Sequence, residues 1–491
     1  MAQGEGAMIV LARRWLLRAA GTLGALLVLG LGVRAWDVQR GPPLGPWHIV
    51  VPPEISAEAL DAADWPRWLA AEAEAIATVR QEVTEALEPQ DQVALNRYFV
   101  DSPMNPARFA QDWNRSFILV PEGAPRGGAV LLHGLTDTPY SVRHLAEAYR
   151  ARGFVAVAIR LPGHGTVPAG LTRAAWEDWM AATRLALREA RARAGEGRPL
   201  HLVGYSNGGA LAMKYALDAI EDATLPRAER VVLVSPMIGV TAFARFAGIA
   251  ALPALLPRFA KTAWLDIQPE FNPFKYNSFP VNAARQTHRL TAALQAQIDR
   301  LAVAGRLGTL PPVLTFQSVA DATVSTPAVL SALYARLPDN GSEVVLFDLN
   351  RGAGFGPLFS AGAYTAIERL VPPAPRAYAL TVVSDRQGSV QARRTAAGAL
   401  DETVEPLAET WPRGVFSLSH VALPFPLSDG LYGLEPDPAE DFGVRLGELA
   451  IRGERGVLAI GLDAAARLTS NPFFPFMLGR VVAPLDAAAA R

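Results

Sequence analysis

Ser206 lies in Gly204-Tyr205-Ser206-Asn207-Gly208-Gly209, a G-x-S-x-G pattern. The run HLV precedes it and the helical run ALAMKYALDAI follows. Glycines on both sides of the serine let the backbone turn sharply and let the helix approach the strand closely. Such a turn lifts the hydroxyl above a sheet and aims the helix N-terminus at it. The chemistry that fits is nucleophilic attack on a carbonyl. In a chain with 41 glycines the pattern alone is a weak signal, and its strand-before, helix-after context is what strengthens it. A glycine-rich turn without chemistry is the competing reading.

A serine hydroxyl is a poor nucleophile without a base. Around a serine on a strand-to-helix turn the expected order is Ser…Asp/Glu…His. Of the seven histidines only His288 and His420 follow Ser206. His288 falls inside a helical pattern, QTHRL, within a segment that reads as a cap. His420 ends the run GVFSLSH in a loop near the C-terminus, where a base from the last strand belongs. An ordinary loop histidine is its alternative. Asp321, in FQSVADATV, follows an apolar strand and precedes a helix. That position presents a carboxylate at the C-terminal edge of a sheet, where it would orient the histidine and stabilise its imidazolium. Capping the following helix is its alternative role. Asp348, Asp385 and Asp429 are the fallback acids.

An oxyanion needs preorganised N–H donors. His133-Gly134-Leu135-Thr136 follows the strand-like run GGAVLL, so the backbone amides of Leu135 and Asn207 are the expected pair. His133 then holds the loop. Leu161-Pro162-Gly163-His164-Gly165 follows a second apolar run, FVAVAI, and reads as a tight structural turn beside the site.

These residues need a frame. Apolar runs at 127–132, 154–159, 201–204, 231–235, 313–317 and 344–347 alternate with helical segments at about 141–152, 175–194, 207–220 and 326–336. Buried β-runs alternating with helices predict an α/β chain with a mostly parallel sheet covered on both faces. Residues 40–53 (RGPPLGPWHIVVPP) read as a linker, and 56–88 as one or two helices broken near Pro66. Residues 238–310 interrupt the rhythm with prolines, aromatics and a helical piece near 288–303, and read as a cap. Residues 350–411 read as a second insertion, with one strand at 378–383 and a helical run near 390–407.

Half of the residues are hydrophobic, enough for a sizeable core. The 46 basic and 47 acidic residues balance to −1, which gives no reason to expect nucleic acid. With no cysteine, a disulfide framework, a thiolate metal site and a cysteine nucleophile are excluded. At the N-terminus Arg13, Arg14 and Arg18 precede the uncharged run 19–33, and Arg34 and Arg40 follow it. Fifteen residues of helix span roughly 22 Å, short of the ~30 Å hydrocarbon core. From Trp15 to Trp36 there are 22 residues, with tryptophan at each end and arginines able to snorkel. An uncleaved signal anchor fits best. A signal peptide competes, with a poor cleavage site at Val33-Arg34-Ala35, and a buried soluble helix is the third reading. In either export case the bulk of the chain lies outside the cytoplasm, periplasmic or extracellular, and cleavage would release an exported soluble form.

The expected organisation is therefore an N-terminal signal anchor or signal peptide (1–36), a linker and N-terminal helical extension (37–124), and a first core part (125–237). A cap or lid (238–310), a second core part (311–349), an insertion (350–411) and a C-terminal core part carrying the base (412–491) complete it.

LLHGLTDTP, RLPGHGT, GYSNGG and SVADATV occur in order and at suitable spacing. Together they resemble the α/β-hydrolase superfamily, in particular its lysophospholipase, monoglyceride-lipase and carboxylesterase-like members. The resemblance covers roughly residues 125–350 and the His420 segment. It implies the α/β-hydrolase fold, with Ser206 as nucleophile, Asp321 as acid, His420 as base, and Leu135 with Asn207 as oxyanion donors. It also implies no metal and no organic cofactor.

Two features depart from the family. Asp321 and His420 are 99 positions apart, which fits only if 350–411 is an excursion. If 344–347 is the last core strand, the base would belong near 351, where there is no histidine. The N-terminal ~120 residues are also more than the common fold needs.

The expected reaction is hydrolysis of a carboxylic ester through an acyl-enzyme, in the lipase, lysophospholipase or esterase range. Phe243, Phe246, Leu252, Leu255, Leu256 and Phe259 would line an acyl pocket or simply pack the cap onto the core. The expected partners are a small-molecule or lipid ester and, through the N-terminal segment, a membrane. A peptidase on the same fold is the enzymatic alternative. A catalytically inactive, membrane-anchored binding protein is the alternative of another class.

Overall fold

Strands whose every residue is apolar must be covered on both faces, and a computed structural model of the chain places them so. It describes residues 2–239, 254, 257–352, 358–360, 362, 366–386, 388–449 and 466–489. Ten strands form one sheet: β1 (Phe117–Leu119), β2 (Gly127–Leu132), β3 (Phe154–Ile159), β4 (Leu200–Tyr205), β5 (Arg230–Val234), β8 (Val313–Ser318), β9 (Glu343–Phe347), β10 (Ala379–Arg386), β11 (Ser389–Thr395) and β12 (Glu402–Pro406). The order is β1-β3-β2-β4-β5-β8-β9-β10-β11-β12. Pairing is parallel from β3 through β10 and antiparallel at the two outer edges. Two short strands, β6 (Trp264–Asp266) and β7 (Phe279–Pro280), pair with each other apart from it.

Helices α5 (Trp176–Ala194), α6 (Asn207–Glu221) and α7 (Val281–Val303) cover one face, and α4 (Arg143–Ala151) with the C-terminal helix Phe474–Ala489 covers the other. After β2 the chain places β3 on one side and β4 on the other. The carboxyl ends of β2 and β4 therefore flank a crevice, the position at which α/β sheets bind ligands.

Four expectations differ from the structure. The cap expected over 238–310 does not fill that range, because α7 belongs to the core. Its Ala283, Leu290, Leu294, Ile298 and Leu301 recur at helical spacing and bury their side chains in the layer that covers the sheet. Each buried Leu or Ile contributes about 1.5–3 kcal/mol, which holds the helix there rather than over the site. The helical run expected near 390–407 is a hairpin instead. SVQARRT alternates buried and less buried positions, which suits a strand, and the alanine-rich stretch after it is the connection between β11 and β12.

Third, 350–411 is an excursion from the core, and what it builds is more sheet: β10 to β12 extend it beyond β9. The chain returns to where it left, since the Asn350 N–H donates to the Phe416 carbonyl at 2.8 Å and its Nδ2 to the Val415 carbonyl at 2.7 Å. Fourth, 40–53 is no free linker: Trp47 and His48 are buried, and Trp47 stacks on Tyr98 at 5.5 Å.

The N-terminal extension, with helices α2 (Ala57–Asp61) and α3 (Trp65–Val79), is fastened to the core by buried charge. Asp64 caps α3 through the Arg67 N–H. Arg160, at the end of β3, is fully buried between Glu54 (2.6 and 3.0 Å) and Glu72 of α3 (3.2 Å), and its guanidinium lies 4.9 Å from the Trp68 ring. Glu54 also accepts the Gly163 N–H at 2.9 Å, so the LPGHG turn is held by a residue from the extension. Helix α1 runs from Ala2 to Gln39. Its stretch Arg13–Gln39 is long and apolar enough to cross a membrane, a test that signal sequences also pass. Of the residues expected to line an acyl pocket, Phe243, Phe246, Leu252, Leu255 and Leu256 lie outside the described residues. Phe259 is half-buried.

Candidate active site

Ser206 stands between β4 and α6 with φ 55° and ψ −115°, in a region that L-residues rarely occupy. Holding it there costs about 1–3 kcal/mol. The surroundings impose it: the Ser206 N–H donates to the Val234 carbonyl and its own carbonyl accepts from the Met237 N–H, both at 2.9 Å. A β-carbon at Gly204 would collide with the Gly208 carbonyl, and one at Gly208 with the Leu132 carbonyl. These glycines let the helix close onto the strand, and Ser206 is left at the head of α6, where the helix dipole favours developing negative charge.

The loop that follows β2 presses against this turn. A β-carbon at Gly134 would lie 3.3 Å from the Ser206 β-carbon and 3.1 Å from the Tyr205 ring. Among the described residues, the Leu135 and Asn207 amides donate to no protein acceptor, so both remain available for an incoming oxygen. His133 fixes the loop. Its Nε2 accepts the Leu161 N–H at 3.0 Å, so its proton is on Nδ1 and points to the Gly134 carbonyl at 2.9 Å. Burial pushes its pKa well below the usual histidine value, and His164, whose ring lies 5.0 Å away, adds to that. His164 is likewise fully buried in its turn, with its pKa lowered to about 3 by burial. Both are neutral structural groups.

Asp321 and His420, 99 positions apart in sequence, meet: Oδ2 of Asp321 is 2.9 Å from Nδ1 of His420. The other carboxylate oxygen accepts the Thr323 and Val324 amides at 2.8 and 3.0 Å, so orienting the histidine and capping the following turn coexist in one residue. Burial alone would raise the carboxyl's pKa. The His420 bond and charge and the two amides outweigh burial and hold it below the usual range. His420 is 5% exposed, its ring lies 5.4 Å from that of Tyr205, and its carbonyl accepts the Tyr205 hydroxyl at 3.5 Å. Ser318 Oγ donates to the Leu418 carbonyl at 2.8 Å and ties the histidine segment to the end of β8. The structure thus brings His420 and Asp321 together beside the Ser206 turn. Among the described residues the Ser206 hydroxyl makes no hydrogen bond to His420, an arrangement common before substrate arrives.

The fallback acids are engaged elsewhere. Asp348 pairs with Arg351 at 2.9 Å, and Asp385 accepts the Gly388 amide at 2.9 Å. Asp429 is fully buried and takes five donors: Arg143 (2.6 Å), the Tyr140 hydroxyl (2.8 Å), His144 (2.9 Å) and the Leu431 and Tyr432 amides (3.0 and 2.7 Å). Burial opposes its ionisation, but Arg143 and His144 hold its pKa well below the carboxylate range. This cluster clamps the segment after His420 onto α4. His288 stands half-buried on α7, away from these residues.

Two neighbours carry no role in the sequence reading. Gln317 donates through Nε2 to Asp321 Oδ2 at 3.0 Å and to Thr326 Oγ1 at 3.0 Å, which orients the acid. A glutamine following the apolar residues of VLTFQS, near the end of a strand, was the available signal. Asp137, inside the LLHGLTDTP motif, is 2% exposed and accepts the Thr138 amide at 3.0 Å. Burial pushes its pKa up to about 6, against the pull of Lys275, the Thr138 amide, the Ser141 hydroxyl and His420.

This is the α/β-hydrolase fold. The family model described as serine aminopeptidase, S33, matches residues 123–351, so it takes in Ser206 and Asp321 and stops where the excursion begins. A thermostable monoacylglycerol lipase from Bacillus sp. (strain H-257) is 28% identical over 219 residues, 44% of this chain and 79% of that protein. Among solved structures, a metagenome-derived lipolytic enzyme described with LipS and LipT is 23% identical, with a TM-score of 0.37, covering 48% of this chain and 86% of its own. The monoacylglycerol lipase of Paleococcus ferrophilus is 19% identical, with a TM-score of 0.35, covering 52% and 97%. The chain resembles monoglyceride lipases and esterases, as its motifs imply.

Proposed function

We propose that the protein hydrolyses carboxylic esters of acyl chains through Ser206, His420 and Asp321. The observation that carries this reading is the 2.9 Å Asp321–His420 pair beside a serine held at φ 55°. His420 Nε2 takes the Ser206 proton as the hydroxyl attacks the ester carbonyl. Asp321 keeps the other ring proton on Nδ1 and stabilises the imidazolium. The Leu135 and Asn207 amides receive the tetrahedral oxyanion, each donor worth ~2.7–4 kcal/mol in a comparable site. His420 then protonates the leaving alcohol, and water repeats the cycle on the acyl-enzyme. The monoacylglycerol lipase relative favours a lipid ester. The apolar N-terminal helix supports a membrane anchor, with the catalytic part outside the cytoplasm.

Fluorophosphonate labelling of the full chain tests the chemistry. Wild type is expected to label, and Ser206→Ala and His420→Ala are expected not to, at equal folded concentration. Labelling that survives in Ser206→Ala would remove Ser206 as the nucleophile. The matched family's description favours a second reading, an aminopeptidase. Turnover of aminoacyl amides exceeding that of acyl esters would select it.

A further inference from the structure

The end of the N-terminal helix and the oxyanion loop are joined by one short piece of chain. Along α1 Trp15, Leu23, Leu29 and Val33 are open to solvent, at 63%, 68%, 63% and 57% exposure. At Ala35 this changes, and the helix docks. Arg34 donates to the Trp264 carbonyl at 3.0 Å, and Lys261 donates to the Gly41 carbonyl at 2.9 Å. His48 follows, with Nε2 2.9 Å from Ser278 Oγ and its ring 4.8 Å from Trp264. The segment that makes these contacts, 261–280, also reaches the site. The Tyr276 N–H donates to the Thr136 carbonyl at 2.8 Å, and Thr138 Oγ1 donates to the Phe274 carbonyl at 2.9 Å.

Around this docking point the surface carries exposed aliphatic side chains. Ile49, Leu265, Val93, Leu95 and Val100 are 65%, 44%, 50%, 65% and 59% exposed. The Trp47–Tyr98 stack and the Arg97 N–H bond to the Glu270 carbonyl hold the 93–100 segment beside this same region. A spanning helix leaves the hydrocarbon where its flanking arginines reach the headgroups, here Arg34 and Arg40. Residues bonded to 34–41 then sit at the lipid surface, and exposed aliphatics beside them gain by entering it.

We infer that this face, built largely from the N-terminal extension, rests on the bilayer and turns the catalytic edge of the sheet toward the leaflet, from which the ester is drawn. The inference rests on the anchored ester hydrolase proposed above.

The chain has no cysteine, so single labels are clean. Leu95→Cys and Leu265→Cys are labelled with a fluorophore in the full-length Ser206→Ala chain. Leu400→Cys and Val404→Cys, on the far side of the sheet, serve as references. All are reconstituted in nanodiscs whose lipids carry a headgroup quencher. Quenching at 95 and 265 several-fold stronger than at 400 and 404 is expected. Equal quenching at all four positions, or none, would overturn the orientation. This readout needs no catalysis, so it stands or falls apart from the hydrolytic reading. In the active chain, Leu95→Asp with Leu265→Asp is expected to lower hydrolysis of a nanodisc-embedded monoacylglycerol roughly tenfold and to spare a short water-soluble ester. An equal effect on both substrates would overturn delivery from the leaflet.

Discussion

Replacing Asp321 by asparagine tests the site most sharply, because the two side chains have the same shape and differ in what they can accept. One carboxylate oxygen takes the Thr323 and Val324 amides, at 2.8 and 3.0 Å, and an asparagine oxygen can keep both. The side-chain amide nitrogen introduced by Asp321→Asn must then face His420 Nδ1 and the Gln317 Nε2 donor, where Oδ2 stood at 2.9 and 3.0 Å. His420 can satisfy that nitrogen only by presenting a lone pair on Nδ1, which moves its proton to Nε2. A ring in that tautomer cannot take the Ser206 proton. The matching change in a serine protease triad lowers kcat ~10⁴-fold, about 5.5 kcal/mol at 1.36 kcal/mol per decade. Stability should fall by only ~1–2 kcal/mol, since the turn keeps its amide bonds. The assay is turnover of a short p-nitrophenyl ester with a melting curve on the same sample. Asp348→Asn is the control, because its Arg351 pair lies outside the triad. Asp321→Asn that melts like wild type yet keeps kcat within tenfold would refute the assignment of the acid.

Asp137 and Arg143 give two further predictions. The Asp137 carboxyl is pushed up to about 6 from 3.8, so the folded state binds its proton more tightly than the unfolded chain. Its contribution is intact below pH ~4 and is lost as pH rises from there through 6, a loss of roughly 3 kcal/mol. Asp137→Asn should therefore be more stable than wild type at pH 8 by about that amount and similar to it near pH 4, read from urea midpoints. No gain at pH 8 would contradict the burial argument. Arg143→Met leaves the fully buried Asp429 without its main counter-charge and should cost about 3–5 kcal/mol, with Arg143→Met/Asp429→Asn recovering part of it. A single variant as stable as wild type would show that the clamp on the histidine segment is not held by charge.

The Ser206 turn, the glycine loop after β2 and the place of Asp321 at a strand end were legible because each is a local event. A strand must end, glycine must admit a close approach, and a polar residue follows an apolar run. Apolar runs marked β2 to β5 and β8 to β10, the parallel strands of the main sheet, for the same reason. The anchor-like helix was legible from length and composition alone. Where spacing had to decide, local pattern was a poor guide. The alanine-rich 390–407 region suggested a helix, but β11 satisfies its backbone groups against β10 and β12 satisfies its own against β11.

The pairing of His420 with Asp321 was decided by tertiary structure. Nothing local relates residues 99 apart. The Asn350 contacts with 415 and 416 and the Ser318 bond to 418 close the excursion and return the histidine to the sheet edge. The same holds for Gln317 on the acid, for the Asp429 clamp on α4 and for Glu54 on the LPGHG turn. Each joins groups whose meeting depends on how layers stack. Sequence pattern determined which residues could do chemistry and which element carries each, because propensity and burial act over a few residues. Only the folded chain decided which of them meet, because hydrogen bonds between distant segments form where packing brings them within about 3 Å.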